Sequence, residues 1–251
     1  MKHIIVTGHS KGLGAGITTA LIHEDHHIHG ISRTDNTDLQ KLARAKGCKM
    51  DFYSCDLSHT DTIEPIMQQV FNNIDKENCD GVYLVNNAGV IKPIGPLESL
   101  EPADMEIHMR VNLLAPMFIT REFVKHFSSW NTEKRILNIS SGAAINPYHG
   151  WSNYCTGKAG MDMFTRCIAT EQDDKDYPVK LMAVAPGIID TDMQTTIRGT
   201  TDDQFIHRKK FVELKESGQL VSPNLAGKNL TELLFSDNFK NGDITDIRDQ
   251  Y

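Results

Sequence analysis

Tyr154 and Lys158 stand four residues apart in "NYCTGK", a spacing that places them on one face of a helix. A free tyrosine titrates near pH ~10, too high for easy proton exchange at neutrality. A neighbouring ammonium favours the phenolate and lowers that value. Tyr154 is therefore expected to act as a general acid toward a carbonyl oxygen. Ser141 follows the apolar run "RILNIS", and its hydroxyl is placed to bond the same oxygen as charge develops there. A Tyr–Lys pair at this spacing occurs by chance on many helices, so its meaning depends on what else the chain holds.

The decisive companion is "VTGHSKGLGAG", Val6 to Gly16, directly after the apolar run "HIIV". Gly8 permits a tight turn, Gly12 lets the backbone approach a pyrophosphate, and Gly14 lets helix and strand pack closely. Free N–H groups at the start of the following helix then face the negative charge. The spacing is neither G-x-G-x-x-G nor a phosphate loop ending in Lys-Ser/Thr. An acidic residue closing the second strand would hold the ribose hydroxyls of NAD. Here "GISRT" offers Ser32 and Arg33, with no carboxylate until Asp35, and Lys11 adds a second cation. Two cations beside the adenosine ribose suit a 2′-phosphate, so the expected cofactor is NADP.

These residues must be carried by strands and helices, and the hydropathy pattern supplies them in alternation. "HIIVTG", "HIHGISR", part of "KMDFYSCDL", "GVYLVNNAG", "KRILNISS" and "VKLMAVAPG" read as strands. "LGAGITTALIHED", "DTIEPIMQQVFNNI", the long run 101–127 and "WSNYCTGKAGMDMFTRCIATEQ" read as helices. Such alternation predicts an α/β fold, a doubly wound parallel sheet with helices on both faces. Without repeats or a Pro/Ser-rich linker, residues 1–251 read as one domain. Residues 188–222 break the rhythm, being long, polar and only partly helical in pattern, and are expected to form a substrate lid.

Composition narrows the function classes. A formal charge of −7 speaks against nucleic acid as the partner. The five cysteines are odd in number and lack a C-x-x-C spacing, which points to free thiols in a reducing cytoplasm. The N-terminus lacks a secretory pattern and no run approaches the ~18 apolar residues of a spanning helix. "HEDHHIHG" holds His23, His26, His27 and His29, but these straddle a helix end and a strand start without supporting Cys or Asp, so no metal is expected. "RKK" at 208–210 reads as an exposed helix face.

Taken together, "TGHSKGLG", "CDL", "NNAG", "VNLLAP", "NISS", "YCTGK" and "APGIIDT" resemble the short-chain dehydrogenase/reductase family across most of the chain. The resemblance implies a Rossmann-type fold and a catalytic set of Asn112, Ser141, Tyr154 and Lys158. It implies that Tyr154 protonates the substrate oxygen, that Lys158 holds the nicotinamide ribose and lowers the Tyr154 pKa, and that Asn112 anchors a relay water. Gly8, Ser10, Lys11, Gly12, Leu13 and Gly14 would surround the pyrophosphate, and Ser32 and Arg33 the ribose phosphate. Asp56 and Leu57 would meet the adenine, and Asn86, Asn87, Ala88 and Gly89 the adenosine ribose side. Pro186, Gly187, Ile189 and Thr191 would lie at the nicotinamide, the last two on its carboxamide.

Within the family, "GWSNYCTGKAGMDMF", "APGIIDTDMQ" and "FKNGDITDI" are similar to the sepiapterin reductase group, which includes bacterial benzil reductases. That likeness implies NADPH-dependent reduction of a vicinal dicarbonyl or α-hydroxycarbonyl, with Asp246 a substrate contact. Trp151 is either a pocket wall or core packing. A dehydrogenase of another alcohol and a non-catalytic NADP-binding regulator are the competing readings. Relatives pair through two long helices, here near 101–127 and 152–172, which implies a homodimer or homotetramer.

Overall fold

The computed structural model describes residues 1–250. Its centre is a parallel sheet of seven strands: β1 (Lys2–Thr7), β2 (His26–Ser32), β3 (Lys49–Ser54), β4 (Gly81–Asn86), β5 (Glu133–Ile139), β6 (Lys180–Ala185) and β7 (Ile244–Asp246). The spatial order is β3-β2-β1-β4-β5-β6-β7. Chain direction through the sheet therefore reverses between β1 and β4, and a crevice opens beyond the strand carboxyl ends at that switch point.

Side chains alternate across the sheet with period two, so the unbroken apolar run of β1 feeds two cores. Ile4 and Val6 join Ile28, Leu137 and Val184 beneath α1 (Gly12–Leu21), α2 (Thr37–Ala45) and α9 (Pro223–Phe235). Ile5 joins Ile31, Leu84 and Ile136 beneath α3 (Ile63–Phe71) and α5 (Ala115–Phe127). The same face is extended by α4 (Pro102–Met109) and α6 (Ser152–Gln172). The expected doubly wound α/β sheet is thus the fold adopted.

Three elements escape the sequence reading: α2, α9 and β7. Helix α9 crosses α1 at two glycines. A Cβ on Gly16 would sit 2.0 Å from the Pro223 carbonyl oxygen, and one on Gly227 would sit 2.2 Å from the Gly16 carbonyl carbon. Gly16 therefore serves helix packing rather than the phosphate loop. The long helix expected over 101–127 contains a widened turn, Arg110–Leu114, where the Ala115 N–H reaches back to the Arg110 carbonyl.

Residues 188–222 fold into α7 (Asp192–Arg198) and α8 (Arg208–Glu216). The excursion is tied at its base by a parallel bridge between Ile189 and Val221 and by the Lys215–Asp190 ion pair. Phe205 and Phe211 anchor it on Trp151, with Phe205 stacked on the indole at 4.5 Å. No helix among the described residues is long and apolar enough to cross a membrane. The five cysteines are unpaired.

Candidate active site

The glycine loop lies at the carboxyl end of β1, beside the switch point. Gly8 and Gly12 take positive φ (+67° and +49°), which a residue with a Cβ adopts only with strain. A Cβ on Gly14 would lie 2.0 Å from the Gly8 carbonyl oxygen. Helix α1 begins with Lys11 in extended conformation, without a side-chain cap and without an acid in the first turn. Its first N–H groups therefore remain open to an anion. Leu13 packs into the core below. Neighbouring loops hold the cradle in place: Asn36 donates to the Ser10 carbonyl at 2.8 Å, and Asn87 donates to the Thr7 carbonyl at 3.0 Å. The Thr7 hydroxyl accepts from the Asn87 and Ala88 N–H groups. Across the cleft, the Thr191 methyl lies 3.1 Å from where a Gly12 Cβ would be. Thr191 opens α7 without bonding through its side chain, following Pro186, Gly187 (φ +80°) and buried Ile189.

Two of the expected ligand contacts are already engaged elsewhere. The Ser32 hydroxyl donates to the Thr34 carbonyl and accepts from His9 Nδ1 at 3.1 Å. The Asn86 amide points into the protein, donating to Asn138 and Thr120. Arg33 and Lys11 are exposed. Burial works to raise the Asp56 carboxyl. The Ser58 N–H and hydroxyl, with the charges of Arg33 and His59, outweigh it and hold the group below its ordinary value. Leu57 is buried beside it. His9 was not singled out from the sequence. Its fully enclosed ring fills the space a Gly30 side chain would need, and its Nε2 lies 3.8 Å from Asp35.

Beyond β5, Ser141 stands at the start of a short turn, its hydroxyl accepting from the Ala143 N–H at 3.2 Å and lying close enough to Tyr154 to favour its phenolate. Tyr154 and Lys158 project from the first turns of α6 on one face, both buried. The expectation that Lys158 lowers the Tyr154 pKa is not met. Burial raises the phenol above its ordinary value, and only Ser141 pulls it back. Lys158 donates to the Ile139 carbonyl at 2.7 Å, and its ammonium lies 5.8 Å from the Tyr154 ring centre. Burial lowers its pKa to about 8, partly countered by Asp162. The protonated phenol is the form that a proton donor needs.

Asn112 occupies the widened turn between α4 and α5. Its Oδ1 accepts from the Val90 N–H at 2.8 Å, and its Nδ2 donates to the Val90 carbonyl and to His108 Nε2, both at 2.7 Å. One Oδ1 lone pair remains for a further donor. His108 is a second residue that sequence reading missed. Its Nδ1 faces the Lys92 carbonyl at 2.7 Å, so that nitrogen carries the proton and Nε2 accepts. The only signal in the sequence was its i, i+4 spacing from Asn112. Gly89 completes the corner, since a Cβ there would lie 3.2 Å from Asn112 Oδ1 and 4.0 Å from Lys158 Nζ.

Trp151 packs within the site's apolar cluster. It is buried with Ile91, Ala143 and Phe211, and its ring meets Tyr154 edge-on at 5.5 Å. Asp246 pairs in register with Ala185, just before Pro186, so the fold brings it to the carboxyl edge of the sheet on its outermost strand. Its carboxylate is gripped in bidentate fashion by Arg248, at 2.8 and 2.7 Å, and that partner holds its pKa down.

A nucleotide cradle and a buried Ser–Tyr–Lys set at the carboxyl edge of one sheet define a nicotinamide-type oxidoreductase site. A family model for short chain dehydrogenase matches residues 2–202, and the chain belongs to the short-chain dehydrogenase/reductase family. It is 42% identical over 247 residues to benzil reductase ((S)-benzoin forming) from Bacillus cereus, covering 98% of this chain and 99% of that one. It is 28% identical over 256 residues to sepiapterin reductase from Xenopus laevis, covering 98% and 95%. The crystal structure of the KRED1-Pglu enzyme superposes with a TM-score of 0.83 at 28% identity, covering 97% of this chain and 100% of that one.

Proposed function

We propose that this protein is an NADPH-dependent carbonyl reductase acting on a vicinal dicarbonyl or α-hydroxycarbonyl of the benzil or sepiapterin type. The observation that carries the reading is Tyr154 buried near Ser141 and beside Lys158, in a chain that matches a benzil reductase over 98% of its residues. The open N–H groups of α1 and the glycine cradle fit a dinucleotide pyrophosphate. Exposed Lys11 and Arg33 fit a 2′-phosphate, and they favour NADP over NAD.

Bound NADPH supplies the hydride. Ser141 holds the substrate carbonyl oxygen, and Tyr154 gives it a proton as the carbon is reduced. Lys158 offers a positive charge to the tyrosinate left behind, and Asn112 presents its remaining Oδ1 lone pair to a relay water. A second carbonyl on the neighbouring carbon withdraws electrons and makes the reacting carbon a better hydride acceptor. Trp151, Ile91 and Phe205 give the pocket an apolar wall suited to an aryl substituent. The Arg248 pair leaves Asp246 less free to anchor a pterin, which favours the diketone.

The test is NADPH oxidation by purified protein with benzil and sepiapterin in parallel, and NADH as control. Turnover with NADPH and little with NADH supports both substrate class and cofactor choice. Turnover of other ketones alone makes the protein a different alcohol dehydrogenase of the family. Tight NADPH binding without turnover of any carbonyl makes it a regulator. Segment 188–222 serves as the lid over this site. Exposed Ile107, Phe118 and Met163 lie on the helices through which a homodimer or homotetramer would form in the cytoplasm.

A further inference from the structure

At the opposite end of the sheet from the glycine loop, the amino ends of β1 and β2 bring three histidines together. The strand register sets His3 directly against His27, and His29 follows two residues later on the same face of β2. One ring nitrogen of each lies within 4.8 Å of the other two. His23 and His26, which the sequence grouped with them, turn away; His26 Nδ1 meets the Leu21 carbonyl. The histidine run holds only two of the three, because the third member comes from a different strand.

We propose that His3, His27 and His29 form a binding site for a divalent transition-metal ion of the zinc type, with Asp51 supplying the balancing negative charge. His3 Nδ1 and His29 Nε2 are 3.1 Å apart. Two imidazoles on one tetrahedral zinc, each at about 2.0–2.1 Å, stand roughly 3.3 Å from one another. This pair is already near the needed separation, and a ring nitrogen of His27 lies within 4.8 Å of both. The other nitrogen of His29 has a partner that fixes the ring: Tyr53 Oη lies 3.3 Å from Nδ1, and Asn73 in turn donates to that hydroxyl. Outer partners of this kind orient metal-binding imidazoles. On β3, Asp51 stands opposite His29, its carboxylate 2.8 Å from His27 Nε2 and 4.0 Å from His29 Nδ1.

An ion has a way in. His3 and His27 line a surface cleft whose rim carries Asp75, Glu77 and Asp80 against Lys49. Zinc, cobalt(II) and nickel(II) all suit an imidazole-rich site, and the order of affinity follows the metal series rather than the site. The catalytic groups lie at the other end of the strands, so the proposal stands whatever the substrate proves to be.

The test uses untagged full-length protein freed of metal by a chelator, titrated with cobalt(II) and followed by visible absorption and calorimetry. One equivalent is expected to bind with a saturable absorption band that zinc displaces. His3→Gln and His27→Gln are each expected to weaken binding at least tenfold, and His23→Gln to leave it unchanged. Circular dichroism and NADPH binding confirm that the variants are folded. Failure of the wild-type protein to bind saturably overturns the proposal. So does equal affinity in folded His3→Gln, or loss of the equivalent with His23→Gln.

Discussion

Replacing Tyr154 with phenylalanine removes a single oxygen from a site that has no obvious substitute for it. The ring stays supported edge-on by Trp151 at 5.5 Å and by His108 at 6.1 Å. The fold loses only the approach of this hydroxyl to Ser141, so stability is expected to change by about 1 kcal/mol or less. Catalysis is a different matter. The nearest other acid, Lys158, is held by the Ile139 carbonyl at 2.7 Å. A positioned proton donor contributes about 10²–10⁴-fold to rate. Tyr154→Phe is therefore expected to lower kcat by that factor, or about 2.7–5.5 kcal/mol of barrier at 1.36 kcal/mol per tenfold. NADPH affinity is expected to stay within about twofold, because the role proposed for this hydroxyl is toward the substrate oxygen and not toward the cofactor. Steady-state NADPH oxidation gives the first quantity and fluorescence titration with NADPH the second. A variant within tenfold of wild-type kcat would refute the acid role. A variant that no longer binds NADPH would show that the hydroxyl serves the cofactor instead.

Gly14→Ala drives a Cβ to 2.0 Å from the Gly8 carbonyl, so it is expected to destabilise by about 1–3 kcal/mol and to weaken NADPH binding more than tenfold. Gly16→Ala meets the Pro223 carbonyl at the same distance, and should lower Tm comparably while leaving NADPH affinity within about threefold. Arg33→Ala is expected to weaken NADPH about tenfold or more and NADH hardly at all, measured by KM for each cofactor. Lys158 has a folded pKa of about 8, below its ordinary 10.5, so the unfolded chain binds the extra proton between those values. Stability should therefore rise with pH across that window by up to about 3 kcal/mol, an increment missing from Lys158→Met in urea melts at pH 8 and 10.5.

The sequence alone was enough for six of the seven strands and for naming Ser141, Tyr154 and Lys158 as candidates, because both readings are local. Runs such as "IIV" and "LMAVA" are apolar on every residue, as strands covered on both faces must be. Tyr154 and Lys158 needed only a helix to share a face. Helix α2 buries only Leu39 and Ala43 among polar residues and β7 has three residues, so one is too polar and the other too short to stand out in the sequence. The α1–α9 crossing was equally hidden, since a glycine spacing does not say which neighbour comes close. Gly16 belongs to that crossing although it stands in the same run as the cradle glycines.

Electrostatic outcome was the other thing that residue types could not decide. A Tyr–Lys pair suggests an acidified phenol, yet burial raises Tyr154 and lowers Lys158, since desolvation exceeds their mutual influence at this separation. Asp246 is free in the sequence and paired to Arg248 in the fold, and Asn112 acquires His108 as a partner. Most telling are the histidines. The chain displays four of them between residues 23 and 29, but strand pairing keeps two and recruits His3 from β1. Local pattern determined which elements and reactive groups exist. Which groups meet, and in what charge state, was decided by the register of parallel strands and by burial, which couple residues far apart in the chain.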